Sequence, residues 1–230
     1  MSDGTYRDYA SAVLANYEKR EASERNLVFD TVKDIPIRRV LDLGCGPGQD
    51  LLPFLEQSDS VCVGVDVGEE LGKVAVPYFR ERWFSDRAHF VRGCGEALPF
   101  VDQSFDIVLC RVALPYMHNG KTIAEVARVM TQGASLFLVT HAPPFYFAMA
   151  AERLKALQVK QLAYPVICLL ASVWHSLTGK QLSGGIWAGK EIFQTRGFLN
   201  RELGRNGLKI AGELTETTRQ APSFRIIKVW

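Results

Sequence analysis

"VLDLGCGPGQD", residues 40–50, sets three glycines and a proline into five consecutive positions directly after an apolar run. Val40, Leu41 and Leu43 precede Gly44, Gly46 and Gly48, and residues 49–57 follow with a helical pattern. Strand, glycine turn and helix in that order is the shape of a nucleotide-binding turn, in which missing side chains let a ligand approach the backbone.

The flanking sequence alternates in the same way. "VCVGVD" (61–66), "AHFVRG" (88–93), "FDIVLC" (105–110) and "ASLFLVT" (134–140) read as strands. Val74, Ala75 and Phe79 mark a helix after the second strand, and "KTIAEVARVM" (121–130) marks another. Strands alternating with helices predict a parallel sheet with helices on both faces. Tyr6, Tyr9, Val13 and Tyr17 recur at helical spacing, so residues 5–25 are expected to form one amphipathic helix. The alternation stops at residues 141–194, which read as an inserted helical lid ending in the glycine-rich "GKQLSGGIWAGK". A helix over "TRGFLNRELGRNG", stopped near Gly207, and a hairpin of "LKIAGELTET" and "SFRIIKVW" complete the pattern. One domain is expected: an N-terminal helical cap (1–38), a cofactor-binding core (39–140), the lid (141–194) and the C-terminal helix and hairpin (195–230).

Composition narrows the partners. The chain has 230 residues, 47% hydrophobic and 23% charged, which is ordinary for one soluble α/β domain. A net charge of +2 gives no electrostatic footprint for nucleic acid or an anionic membrane. Five cysteines, Cys45, Cys62, Cys94, Cys110 and Cys168, form no C-x-x-C pair, which favours free thiols in a reducing, cytoplasmic compartment and no structural metal. The N-terminal "MSDGTYRDYA" lacks a signal-peptide core. "LAYPVICLLASVWHSL" (162–177) is shorter than the roughly 20 residues of a membrane span and is interrupted by Pro165 and His175. It is expected to be a buried helix, the other reading being a surface that touches a lipid-like substrate.

Ligands of open α/β sheets sit at the carboxyl ends of the strands. Three such ends carry polar residues here: Asp42 beside the glycine turn, Asp66, and Cys110 with Arg111. Asp66 lies 20 residues after Gly46, where a carboxylate can accept both hydroxyls of a ribose. G-C-G-P-G brings its third glycine one position earlier than the G-x-G-x-x-G of dinucleotide sites, which argues against a nicotinamide cofactor. Asp42 would oppose a pyrophosphate and favour an ammonium or sulfonium; it also has a plain reading as an organiser of the turn through backbone amides.

"VLDLGCGPG", "VGVD", "GCGEALPFVDQSFDIVLC" and "IAEVARVMTQGASLFLVT" resemble successive motifs of the class I S-adenosylmethionine-dependent methyltransferases, in their small-molecule branch, from about Val40 to Thr140. The resemblance implies a Rossmann-like seven-stranded mixed sheet in the order 3-2-1-4-5-7-6. It implies S-adenosylmethionine as cofactor and S-adenosylhomocysteine as product. Asp42, Gly44, Cys45 and Gly46 would cradle the methionine part, Asp66 the ribose, and Val67 would pack beside the adenine. Cys94, Gly95 and Glu96 would flank that ring, Cys110 and Arg111 would end the fourth strand beside the methyl group, and Tyr6, Tyr9 and Tyr17 would close the pocket from above. Cys94 stands where the family carries an aspartate that accepts from the adenine amino group. A thiol is a poor acceptor, so about 0.5–1.5 kcal/mol of binding is at stake there.

Methyl transfer needs a general base only where the acceptor must first lose a proton. His118, His141, Tyr116 and Tyr146 are the candidates, with His118 equally readable as a helix cap. Arg111 could grip an acidic acceptor or pair with a neighbouring carboxylate. Phe145, Tyr146, Phe147, Leu154, Leu169, Leu170 and Trp174 in the lid suggest a small apolar or aromatic acceptor; core packing accounts for the same residues. The expected partner is therefore a small molecule, with no nucleic acid and no stable membrane insertion. The rival readings are a non-catalytic S-adenosylmethionine-binding module and an RNA methyltransferase.

Overall fold

The structure, a computed structural model, describes residues 3–68, 71–182 and 184–230; the side chain of Tyr6 lies outside the described residues. The chain runs α1 (Asp3–Glu18), α2 (Ala22–Arg25), α3 (Leu27–Val32), β1 (Arg39–Leu43), α4 (Leu52–Gln57), β2 (Val61–Asp66), α5 (Leu71–Glu81), β3 (Ala88–Arg92), β4 (Phe105–Arg111), α6 (Asn119–Val129), β5 (Met130–Val139), α7 (Pro143–Lys155), α8 (Ala163–Thr178), α9 (Arg196–Arg205), β6 (Leu208–Glu213) and β7 (Ser223–Lys228). The sheet has the order β3-β2-β1-β4-β5-β7-β6. β1 to β5 are parallel, and β7 is antiparallel to both β5 and β6.

The unbroken apolar runs of the central strands follow from burial on both faces. Leu41, Leu43, Val108, Cys110, Leu136 and Leu138 point to one side, under α6 and α9, where Ile123, Val126, Phe198 and Leu199 complete a cluster. Val40, Ile107, Leu109 and Phe137 point to the other, under Tyr17, Phe29, Phe54, Leu55 and Phe79 from α1, α3, α4 and α5. This alternation decides which strand-end residues can face a ligand.

Three boundaries differ from expectation. Residues 5–25 are two helices, because the chain breaks after Glu18 and turns at Arg20, whose amide donates to the Tyr17 carbonyl. The break lets Tyr17 and Phe29 bury in one cluster, which a straight helix would not do. The helix after the glycine turn opens with a 3₁₀ turn at Gln49–Leu51. β5 starts at Met130 rather than Ala134, and Gly133, with φ +76°, sits where its pairing with β4 shifts register.

Parallel pairing of β2, β1 and β4 brings their carboxyl ends together. The turn after β1 is then tied back to β2: Gly44 and Cys45 amides donate to the Val65 carbonyl at 2.7 and 3.2 Å. Gly44, Gly46 and Gly48 have φ of +72°, +51° and +82°, a region costly for any residue with a Cβ. They are glycines for different reasons. A Cβ at Gly44 would come within 2.2 Å of the Ala113 Cβ, and one at Gly48 within 2.8 Å of the Phe90 ring, whereas one at Gly46 meets nothing within 4 Å. Only Gly46 is bare toward open space.

Gly44→Ala is therefore expected to cost about 3 kcal/mol or more, adding overpacking to a left-handed strain of about 1–2 kcal/mol. Gly46→Ala should cost the strain alone. Urea unfolding of both variants reads the difference, and equal losses would contradict the assignment.

Candidate active site

The turn, the ends of β2 and β4 and the start of α1 enclose a cleft of about 380 Å³, within the range of small-molecule sites. Gly44, Gly46, Asp66, Val67, Gly93 and Ala113 form much of its wall, and Tyr9, Tyr116, Met117 and Arg111 its rim. Asp66 is a fixed part of that wall. Its Oδ2 accepts from the Gly46 amide at 3.0 Å and its Oδ1 from the Gly68 amide at 2.9 Å. Each oxygen keeps a second lone pair.

Asp42 is buried beneath the turn, and its Oδ2 has no hydrogen-bond partner among the described residues. The amides it was expected to organise are held instead by Asp66 and Val65. Burial pushes the Asp42 carboxyl well above the usual range, the charges of Asp50 and Asp66 push it further, and Arg111 opposes them. Burial of this kind favours the neutral acid unless a positive group comes close enough to hold the carboxylate.

Arg111 does not fill that place. Its guanidinium makes a two-pronged pair with Glu216, at 2.7 and 3.1 Å, and its Nε lies 3.4 Å from Asp50. Burial pushes the Glu216 carboxyl up, but the bonds and charge of Arg111 hold it below the ordinary value. So Arg111 pairs with carboxylates of its own chain and is not free to grip an acidic acceptor. Val112 follows it with φ +61°, unusual for a β-branched residue and worth about 1–3 kcal/mol of strain. Its amide donates to Val139, and the bend seats Ala113 against Gly44.

Several candidates stand elsewhere than expected. Cys110 points into the core beneath α6, as strand alternation requires, and burial pushes its thiol up to about 12. Cys45 tucks behind the turn against the space that Gly64 leaves open, away from the cleft. Tyr17 is buried among Phe29, Phe54 and Leu55 and packs rather than covers the pocket; Tyr9 alone of the pair reaches the rim. His118 is exposed and caps α6, its Nδ1 accepting from the Lys121 amide at 3.5 Å. Cys94 and Ala97 close a small turn behind Gly93, in which Gly95 packs on Met117 and Thr122. Glu96 there accepts from the His118 amide at 2.7 Å.

A second polar cluster adjoins the cleft. Glu191 is buried and accepts from the Tyr146 and Tyr164 hydroxyls at 3.0 and 2.5 Å, while the His141 Nδ1 lies 2.8 Å from it. Burial pushes this carboxyl up, yet the bonds from His141, Tyr164 and Tyr146 outweigh it and keep it ionised. An ionised carboxylate can only accept, so Nδ1 is the donor in this pair. His141 stacks on Phe145 with centroids 3.7 Å apart, so the ring cannot turn freely. Tyr116, on the cleft rim, is close enough that Glu191 adds to the upward push of burial on its hydroxyl. Backbone bonds hold this segment to the strand end, the Ile192 amide donating to the Pro115 carbonyl at 2.9 Å. Glu191 was not foreseen: it lies 50 residues from His141, in a stretch with no periodicity.

Residues 40–133 match the family model described as Methyltransferase domain. YcgJ, an uncharacterized methyltransferase of Bacillus subtilis (strain 168), is 36% identical over 125 residues, covering 54% of this chain and 49% of that protein. Ajmaline N-methyltransferase of Rauvolfia serpentina is 29% identical over 147 residues, covering 61% and 50%. The crystal structure of magnesium protoporphyrin IX methyltransferase from Synechocystis PCC 6803, with bound SAH, superimposes with a TM-score of 0.59 at 18% identity, over 96% of this chain and 83% of that one. At that identity the likeness shows the fold. The chain spans about half the length of the curated relatives it matches.

Arg111→Met leaves Glu216 and Asp50 without their cation and is expected to cost about 3–5 kcal/mol in urea unfolding. The Glu216 carboxyl titrates below its unfolded value, so its pairing stabilises above the ordinary carboxylate range and is lost as pH falls through the depressed value. The penalty of the variant should shrink over that same acid window. A penalty unchanged with pH would show that the pair contributes little.

Proposed function

We propose that the chain, whose residues 40–133 match a methyltransferase domain, is a class I S-adenosylmethionine-dependent methyltransferase that transfers a methyl group to an O, N or C atom of a small apolar or aromatic molecule. The bound cofactor supplies a methyl group already activated on a positively charged sulfur. The residues present suit it. Asp42 offers a buried, unpartnered carboxylate oxygen to a cationic group, and Gly46 leaves open space above the turn. Asp66 keeps lone pairs for the ribose hydroxyls, and the exposed Val67 offers an apolar surface to the adenine. Cys94 replaces a stronger acceptor, so Asp66 and the turn carry more of the recognition.

The observation that carries the reading beyond cofactor binding is the His141–Glu191 pair. Glu191 is a positioning residue: it fixes the tautomer of His141 and balances the charge that develops when Nε2 takes a proton. His141 is the base for an acceptor O–H or N–H, and Tyr116, which lines the cofactor cleft and interacts with the same Glu191, links the two. α7, α8 and the segment to Gln194 form the lid over the acceptor side. Small-molecule transfer is supported by the relative named for ajmaline and by a net charge too small for a phosphate track. All five cysteines are free, which suits a reducing compartment.

His141→Ala is expected to lower kcat by about 10²–10⁴ on a hydroxyl or amine acceptor while leaving S-adenosylhomocysteine affinity unchanged. Glu191→Gln should displace the acid limb of the kcat profile, which a purely structural role would not move. Transfer of labelled methyl to a panel of small phenols and amines reads both. Full activity of His141→Ala on every acceptor would remove the base from the reading.

A further inference from the structure

α8 is packed on one side and bare on the other. Pro165, Cys168, Ala171, Ser172 and His175 are buried against the chain. Val166, Leu170, Val173, Trp174 and Leu177 recur at helical spacing on the opposite side and are 46–81% exposed. No Asp, Glu, Lys or Arg occurs in this helix. A helix packed on a soluble domain normally turns polar residues to water, so a charge-free apolar stripe of this kind marks a contact surface. The connection leading into it continues the stripe with Leu157 and Val159, 84% and 67% exposed.

The charges around the stripe select its partner. Residues 142–190 carry Arg153, Lys155, Lys160, Lys180 and Lys190 against Glu152 alone, although the whole chain is only +2. Lys155 and Lys160 precede α8, Lys180 follows it, and all three are exposed. An apolar helical stripe bracketed by cations is suited to the boundary between headgroups and acyl chains of an anionic bilayer. A second copy seated on the same face by twofold symmetry would bring these cations against their equivalents with one carboxylate each to offset them. No described helix is long and apolar enough to cross a membrane, so the contact lies along the surface.

We propose that the outward face of α8, with Lys155, Lys160 and Lys180 around it, docks on an anionic lipid bilayer. Tyr164, at the start of the same helix, donates to Glu191, so docking sets the bilayer within about one helix diameter, 10–12 Å, of the polar cluster. The proposal is independent of methyl transfer, because it is read without cofactor or acceptor.

Co-sedimentation of the full chain with phosphatidylcholine vesicles, with and without phosphatidylglycerol, tests it. Binding is expected to vesicles containing phosphatidylglycerol, at least about tenfold weaker to phosphatidylcholine alone, and to fall as salt rises. Leu170→Ser with Trp174→Ser should abolish binding with an unchanged circular dichroism spectrum, since both side chains face solvent. Lys155→Gln with Lys160→Gln should remove most of the preference for anionic lipid. Failure of the wild-type chain to bind either vesicle would overturn the proposal. So would equal binding to both, or a wild-type dimer, seen in sedimentation equilibrium, that the Leu170/Trp174 variant converts to monomer.

Discussion

The whole site hangs on how the turn after β1 is anchored to the end of β2. Gly44 and Cys45 donate to the Val65 carbonyl, and Gly46 donates to the Asp66 carboxylate. These bonds require two adjacent parallel strands in register and a backbone in the left-handed region at Gly44, Gly46 and Gly48. Once they form, the other parts have fixed places. Ala113 fills the space under Gly44, which forces the bend at Val112, and that bend presents Tyr116 to both the cleft and Glu191. Asp66 is thus a structural member of the turn, and the proposed ribose contact would use the lone pairs that the Gly46 and Gly68 amides leave free.

Burial of charge beneath the turn is the second constraint. Strand alternation puts Asp42 and Arg111 on the same side of the sheet, Asp50 approaches from the 3₁₀ turn after the glycines, and Glu216 reaches in from the connection between β6 and β7. Arg111 is committed to Asp50 and Glu216, which leaves Asp42 electrostatically unsatisfied. Since its folded titration lies above its unfolded value, the protonated form favours folding, and stability is lost as pH rises through the raised value. A strained site with buried charge of this kind is where function and stability commonly oppose one another.

Much of this was legible in the sequence. The core strands and the cleft position followed from the glycine turn, apolar runs and spaced aspartates, and the sheet order followed from the family resemblance that those motifs carry. What periodicity could not supply was the direction of single side chains at strand ends. Cys110 and Arg111 are neighbours in sequence, yet one lies in the core and the other joins Asp50 and Glu216. Nor could it supply pairs made by folding across long separations, such as Arg111 with Glu216 and His141 with Glu191. The apolar stretch 162–177 was half read: it is a helix, buried on one side only. Hydrophobicity alone does not say how many faces a neighbour will cover.

The most direct test of the central claim, that Asp42 offers its buried Oδ2 to a cationic cofactor, is Asp42→Asn. Thermal unfolding without ligand and calorimetric titration with S-adenosylmethionine at neutral pH would be measured on the same preparation. The account predicts a midpoint about 2–4 °C higher for each kcal/mol that neutralising the buried carboxyl returns, together with cofactor affinity lower by about tenfold or more. A variant that is less stable and binds S-adenosylmethionine as tightly as the wild-type chain would contradict it.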